Sequence, residues 1–160
     1  MKILKWLDDN LEQSLMVILL LFMSVIMIIQ VIARYVFGNS LTWSEELTRY
    51  LFIWSGFLSV SFCIKKKISI RIDQVVNALP GKLSSIFKVI EKVIMLSFFC
   101  YMSFYAFDYF TQSVASGQVS PAIGIPMFLI QVSPFVGFVL AIVRLIQSLL
   151  AEVKLLVKSN

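Results

Sequence analysis

Four charged side chains lie close together in sequence, where one apolar segment ends and the next begins. Arg34 lies near the end of the first segment, and Glu45, Glu46 and Arg49 open the second. Carboxylate and guanidinium groups in such a place could bind a substrate, exchange protons or pair with one another. Glu45 precedes Arg49 in the favourable i, i+4 order for an ion pair on one helix. We therefore expect a structural cluster of these four residues, and not a substrate site.

Thiol, metal and haem chemistry have little support in the sequence. Cys63 and Cys100 lie in separate apolar segments and form no paired-cysteine motif, which favours small packing residues over a metal site or a thiol relay. Histidine is absent, so bis-His haem ligation and the commonest proton shuttle are excluded. We expect no catalytic residue, no metal site and no bound cofactor, and the chain is not predicted to be an enzyme.

The elements that position these residues are long apolar segments. The 160-residue chain is 59% hydrophobic and 14% charged, which is too apolar for a water-soluble domain of this size. A spanning helix needs about 20 apolar residues, and the runs are apolar on every side, unlike the alternating strands of a membrane barrel. The prediction is an all-α membrane protein with one domain over 1–160 and four transmembrane helices at about 15–37, 43–64, 86–110 and 126–150.

The first 14 residues show a different pattern. Apolar residues recur at helical spacing with Trp6 beside them, and the acidic residues lie opposite. This pattern predicts an amphipathic helix over residues 1–14 that lies flat on the inner leaflet.

Basic residues indicate the orientation. Seven of the fourteen lie between the second segment and the most apolar part of the third, which begins at Val93: Lys65, Lys66, Lys67, Arg71, Lys82, Lys88 and Lys92. The positive-inside rule makes this loop, about 65–85, cytoplasmic, and four spans then place both termini in the cytoplasm. We expect its first basic residues, Lys65, Lys66, Lys67 and Arg71, to face anionic lipid. The net charge of +5 is thus a topology signal, and no nucleic-acid partner is expected.

The second segment combines an interfacial anchor with a packing face. Trp43 is expected at the membrane interface, and Thr42 with Glu45 matches a capping box for the start of the helix. Deeper in the segment, Trp54 and Gly56 belong to a face of one large and several small residues. Such a face suits close packing against another helix, either within this chain or in a partner.

Several motifs together resemble one transporter family. They are Arg34-Tyr35-Val36-Phe37, Leu41-Thr42-Trp43-Ser44-Glu45-Glu46, Arg49-Tyr50-Leu51-Phe52-Ile53-Trp54, Ile70-Arg71-Ile72-Asp73 with Leu79-Pro80, Gly124-Ile125-Pro126-Met127 and Pro134-Phe135-Val136-Gly137. This set resembles the small membrane subunit of tripartite ATP-independent periplasmic (TRAP) transporters over nearly the whole chain. One departure is Ser69, where relatives often have His, and it puts any protonation role at that position in doubt.

The resemblance implies a function that the residues alone leave open. Such a subunit pairs, in the bacterial inner membrane, with a large permease subunit that carries the substrate and sodium sites. A periplasmic binding protein delivers a carboxylate-bearing solute of the C4-dicarboxylate or sialic-acid type. The small subunit is then a scaffold that widens the static part of an elevator-type carrier.

Two other classes of membrane protein were weighed. A four-span thiol oxidoreductase would need outward-facing cysteine pairs, and the expected outer loops contain no cysteine. A self-contained small proton-coupled exporter would need a carboxylate within the membrane, whereas Glu45, Glu46 and Asp108 are expected near the outer boundary. The exporter stays as the alternative hypothesis.

Overall fold

The computed structural model describes residues 2–66 and 81–158, with side chains described for residues 10–66 and 86–153. Most of the predicted cytoplasmic loop, including Lys67 and Arg71, lies outside the described residues. The described residues form five helices: α1 Lys2–Tyr35, α2 Thr42–Lys65, α3 Gly81–Ser116, α4 Phe128–Gln131 and α5 Ser133–Lys158. The described residues contain no strand beyond an isolated bridge between Val119 and Pro126, so the all-α prediction is confirmed.

The predicted separate N-terminal helix is instead the first part of α1. Helical structure runs without a break from Lys2 to Tyr35. The physical reason is that no proline or glycine precedes Gly38, so nothing interrupts the backbone hydrogen bonds where the polar segment meets the apolar one. A position flat on the membrane stays a prediction.

Within the part of the chain with described side chains, three helical segments qualify as membrane spans by length and composition: Asn10–Tyr35, Thr42–Lys65 and Phe128–Val153. The third segment includes α4 and most of α5. Helix α3 is 36 residues long but is not among the three, so the four-span count stays a prediction. Its apolar part contains Tyr101, Tyr105 and Asp108, which are less favourable in hydrocarbon than the aliphatic residues of α1.

The long helices pack in the order α1, α2, α5, α3. Helix α1 packs on α2, α2 on α5 and α5 on α3, and the short α4 packs against the last three. In the described part of the chain, α1 and α3 each pack along a single long neighbour. We call this arrangement the helix row. The end near residues 36–41 and 117–127 is its loop end, and the end near Glu12, Lys65 and Arg144 is its terminal end.

The apolar core of the row lies between α2, α3 and α5. Ala141 and Leu145 of α5 are buried with Phe99 of α3. The Phe138 ring meets Phe57 edge to face at 5.6 Å between ring centroids, and lies 5.9 Å from the Phe99 ring. These ring contacts make α5 the helix that joins α2 to α3.

Gly137 allows α5 to approach α2 closely. A Cβ atom on Gly137 would lie 2.7 Å from Cβ and 2.8 Å from the carbonyl oxygen of Phe57. A Cβ atom on Gly56 would meet no atom within 4 Å. The close helix contact within the chain therefore depends on Gly137, and Gly56 takes no part in it.

The last predicted span is divided near Pro134. Helix α4 ends at Gln131 and α5 begins at Ser133. Pro134 has no N–H to donate to the Ile130 carbonyl, and the Ser133 hydroxyl donates to this carbonyl instead, at 2.7 Å. Trp54 Nε1 donates to the neighbouring Leu129 carbonyl at 3.1 Å. Trp54 therefore stabilises the break between α4 and α5. The prediction that Trp54 belongs to a helix-packing face did not include this role.

Gly137→Ala should lower the stability of the chain by about 1–3 kcal/mol, because its new methyl group would overlap the Phe57 backbone. Gly56→Ala is the matched control, since it has the same change in helix propensity and open space around it. Thermal unfolding of the purified variants in detergent measures the difference. Equal unfolding temperatures would contradict the close contact.

Candidate functional site

The charged side chains of the described residues lie toward the two ends of the helix row. At the loop end, Gln30 of α1 lies against the start of α2. Gln30 Nε2 donates to Glu45 Oε1 at 2.9 Å, and the buried Ser44 hydroxyl lies between Gln30 Oε1 and the Leu41 carbonyl oxygen, where it can donate to either. These contacts join α1 to α2 beside the turn. They also replace the predicted capping box, because the N-cap is Leu41 and Glu45 is directed to Gln30.

Glu46 joins α2 to the loop between α3 and α4. Tyr50 donates its hydroxyl proton to Glu46 Oε1, and the backbone N–H groups of Ala122 and Ile123 donate to Oε2 at 2.9 and 3.2 Å. Both carboxylate oxygens of Glu46 are therefore committed to protein donors. The side chain acts as a fixed support for the loop, and not as a free acid.

The loop is also ordered by its own backbone. Ser120 N–H donates to the Ile125 carbonyl at 2.8 Å, and Met127 N–H donates to the Gln118 carbonyl at 2.9 Å. Gly124 lies at φ 76°, a conformation that glycine adopts without a steric cost. Together with the two bonds from Glu46, these contacts hold residues 118–127 in one conformation.

Arg34 and Arg49 do not join this network. Both side chains are exposed, and within residues 10–66 and 86–153 no salt bridge joins either of them to Glu45 or Glu46. The predicted Glu45–Arg49 pair is therefore wrong for this structure, because Glu45 is bound to Gln30 on the neighbouring helix. The loop end brings Glu45 and Glu46 into polar contacts and leaves the two arginines outside. The exposed Trp43 ring also lies at this end, as an interfacial anchor would.

The terminal end contains a buried ion cluster that we did not predict. Glu12 of α1 is only 1% exposed, and its Oε1 atom accepts a bond from Arg144 Nε of α5 at 2.6 Å. Its Oε2 atom lies 3.3 Å from Lys65 Nζ of α2, and Arg144 also donates to Gln147 Oε1 at 2.9 Å. One carboxylate thus joins three helices. One residue in the sequence could have indicated this cluster. Arg144 is a charged residue within a predicted span, and such a residue needs a partner at the same depth.

This cluster corrects the prediction for Lys65, which was expected to face lipid. The Lys65 side chain is 16% exposed and turns toward Glu12. Lys66 is exposed, with its Nζ atom 5.9 Å from the centre of the Phe62 ring, and its contact with anionic lipid stays a prediction.

A second ion pair extends the polar contacts to α3. Lys92 Nζ lies 2.9 Å from Glu152 Oε2 and donates to the Ser148 carbonyl at 3.3 Å. Since Glu12 joins α1, α2 and α5, and Lys92 joins α3 to α5, all four long helices are linked near the terminal end. Each of these carboxylates is paired, which suits a structural role better than proton transfer.

The described residues do not contain a group of three or more side chains that could hold a metal ion. Cys63 and Cys100 are both free and exposed, so they are not the small buried packing residues that we expected. The chemistry that this arrangement supports is the positioning of helices.

Glu12→Ala should destabilise the chain by about 3–5 kcal/mol, because it leaves the buried Arg144 guanidinium without this carboxylate. The double change Glu12→Ala/Arg144→Ala should cost less than the two single changes summed. Exposed Lys66→Ala is the matched control, with a loss below about 1 kcal/mol. Thermal unfolding in detergent compares them, and a Glu12→Ala variant as stable as the control would refute the structural role.

Comparison with known proteins gives the family. The family model described as "Tripartite ATP-independent periplasmic transporters, DctQ component" matches residues 23–155. The isethionate TRAP transporter permease protein DctMQ of Oleidesulfovibrio alaskensis is 31% identical over 159 residues, which are 96% of this chain and 25% of that protein.

Other relatives differ in length and in the substrate that their names give. The sialic acid TRAP transporter permease protein SiaT of Haemophilus influenzae is 33% identical over 62% of this chain and 16% of its own length. The ectoine TRAP transporter small permease protein TeaB of Halomonas elongata is 28% identical over 84% of this chain and 69% of its own length. The chain thus spans a quarter or less of the first two relatives. With its apolar helices and matched motifs, the chain belongs to the DctQ component family of the TRAP transporters, whose members are membrane permease subunits and not enzymes.

Proposed function

We propose that this chain is a static scaffold for a large, sodium-coupled permease subunit in the bacterial inner membrane. In this proposal, a periplasmic binding protein delivers an organic acid, and the large subunit carries the substrate and sodium sites. The observation that carries the proposal is the placement of every described ion pair near the terminal end of the helix row. A subunit that only positions helices needs no charged site between the two ends.

The middle of each long helix lacks charged side chains. Segments 13–33, 50–64, 93–107 and 127–143 contain no charged residue. A transporter with its own coupling site usually places an ionisable group at this depth, despite a cost of about 2.5–3.5 kcal/mol on insertion scales. This pattern supports a division of labour in which substrate and sodium bind on the partner subunit.

The polar contacts at the two ends support a static role. Glu12 and Lys92 connect the long helices near the terminal end, and Gln30 and Glu46 connect helices and loop near the other end. Trp54 adds a bond from the middle of α2 to α4. Breaking a buried charged contact costs several kcal/mol, so sliding of one helix past another is disfavoured.

The exporter alternative receives no support from the buried carboxylate. A proton-coupled exporter would need an acid that is free to bind and release a proton within the membrane. Among the described side chains, Glu12 is the buried carboxylate, and it is already bound to Arg144 and Lys65.

For the orientation, we propose four spans, with α3 as the third, and a periplasmic loop end. Exposed apolar residues along α3, such as Phe98 and Phe104, would face lipid. The lysine-rich connection and both termini would lie in the cytoplasm, where the basic residues favour the anionic leaflet.

For the substrate, we propose an organic acid. The relatives' names include isethionate, which is a sulfonate, as well as sialic acid, ectoine and C4-dicarboxylates. The class is therefore wider than the carboxylates expected from the sequence.

The chain should transport nothing alone, because its spans have no charged coupling site. Vesicles that contain only this chain, with an inward sodium gradient, should take up isethionate, sialic acid, ectoine or succinate no faster than empty vesicles. Vesicles that also contain the large subunit and the binding protein are the positive control. Saturable uptake by the chain alone would overturn the scaffold proposal.

Topology can be tested with single cysteines at two exposed positions. In a background with Cys63→Ser and Cys100→Ser, an impermeant maleimide added to intact spheroplasts should label Ser116→Cys and not Lys66→Cys. Permeabilised cells, in which both positions react, are the control. Labelling at position 66 with protection at position 116 would show the reverse orientation.

A further inference from the structure

Five of the seven exposed residues of α2 lie along one stripe of the helix. Glu45, Arg49, Phe52, Gly56 and Cys63 follow each other at spacings of three, four or seven residues, so they share one face. The opposite side of α2 is used within the chain, where Trp54 bonds the Leu129 carbonyl and Phe57 packs on Gly137. Since Glu45 also accepts a bond from α1, we call the other four residues of the stripe the free face of α2.

Arg49 gives the free face a guanidinium that makes no salt bridge within the described residues. It lies two turns into α2, about 10 Å from the first residue of the helix. Its side chain is exposed, and the nearby Glu45 and Glu46 carboxylates bond other groups. A guanidinium at this depth is costly against hydrocarbon and favourable against a carboxylate.

Phe52 and Gly56 give the same face a distinct shape. Phe52 is 67% exposed, and one turn further the surface is bare, because a Cβ atom on Gly56 would meet nothing within 4 Å. A projecting ring next to a glycine fits the side chains of another helix, as small residues do at helix contacts in membranes.

The exposed stripe of α5 differs from the free face of α2. It is aliphatic throughout, with Val139, Val143, Ile146, Leu150 and Val153. Such a stripe can contact lipid chains directly, because it contains no polar group that needs a hydrogen-bond partner. The charge and the glycine on α2 therefore distinguish its free face from a surface that only contacts lipid.

We propose that the free face of α2 docks a transmembrane helix of the large permease subunit, which brings a carboxylate to Arg49 and a bulky apolar side chain over Gly56. This inference rests on the proposed function, since it names the face through which the scaffold binds its partner. Charge complementarity at Arg49 and the open space at Gly56 determine the chemistry of the partner helix.

The test is co-purification with an affinity-tagged large subunit of the same transporter. Arg49→Glu reverses the charge and Gly56→Leu fills the open space, and each should reduce recovery by more than about tenfold. Val143→Phe, on the aliphatic stripe of α5, is the matched control and should be recovered like the unchanged chain. Each variant alone should unfold at the temperature of the unchanged chain, because neither position makes an internal contact that these substitutions remove.

A cross-linking measurement makes the proposal independent of variant stability. In the background without Cys63 and Cys100, Gly56→Cys should form a cross-link to the large subunit with a short thiol-to-amine or photoactivated reagent, and Val143→Cys should not. Normal recovery of both Arg49→Glu and Gly56→Leu, or cross-linking from position 143 and not from 56, would overturn the assignment of this face. Failure of the unchanged chain to co-purify with the large subunit would instead refute the proposed function.

Discussion

A carboxylate that is shielded from water must be paired, and the pairing of Glu12 determines how the other helices are arranged. Its two oxygens contact Arg144 of α5 and Lys65 of α2, so three helices meet at one buried group. Lys92 and Glu152 add α3 through a second pair. Losing one partner strands a buried charge, at a cost of several kcal/mol. Such contacts determine which helices are neighbours and how far each helix is shifted along the next. Apolar packing between lipid-exposed helices determines both less strongly.

The other contacts of the row follow from the same constraint. Lipid offers no hydrogen-bond partner, so the carbonyls freed at the break before α5 must be satisfied by protein. Trp54 and Ser133 bond two of them. Close contact between α2 and α5 is possible because Gly137 leaves room for the Phe57 backbone. The contact between α2 and α5 thus depends on shape and on bonds at the helix break, and the two ends of the row depend on directed polar bonds.

Each predicted span overlaps a helix, because apolar length is a local property. The predicted and observed bounds agree within a residue or two only for α2, and the ends of the other long helices differ more. The hydrogen-bond and ion-pair partners of the polar side chains are harder to predict, since they depend on which helices become neighbours. Glu45 lies four residues from Arg49, but Gln30 on α1 is its partner, and Arg144 is bound to Glu12, 132 positions away. Gly56 and Gly137 look equivalent in sequence, and only the packing of α5 on α2 distinguishes them.

A static scaffold keeps the arrangement of its helix row while the transporter works. Distances between spin labels at two exposed positions, Leu21 of α1 and Phe104 of α3, test this in the assembled transporter without its native cysteines. We expect the same distance distribution in the resting state and during sodium-driven uptake. A shift of about 5 Å or more, the length of one helical turn, would contradict it.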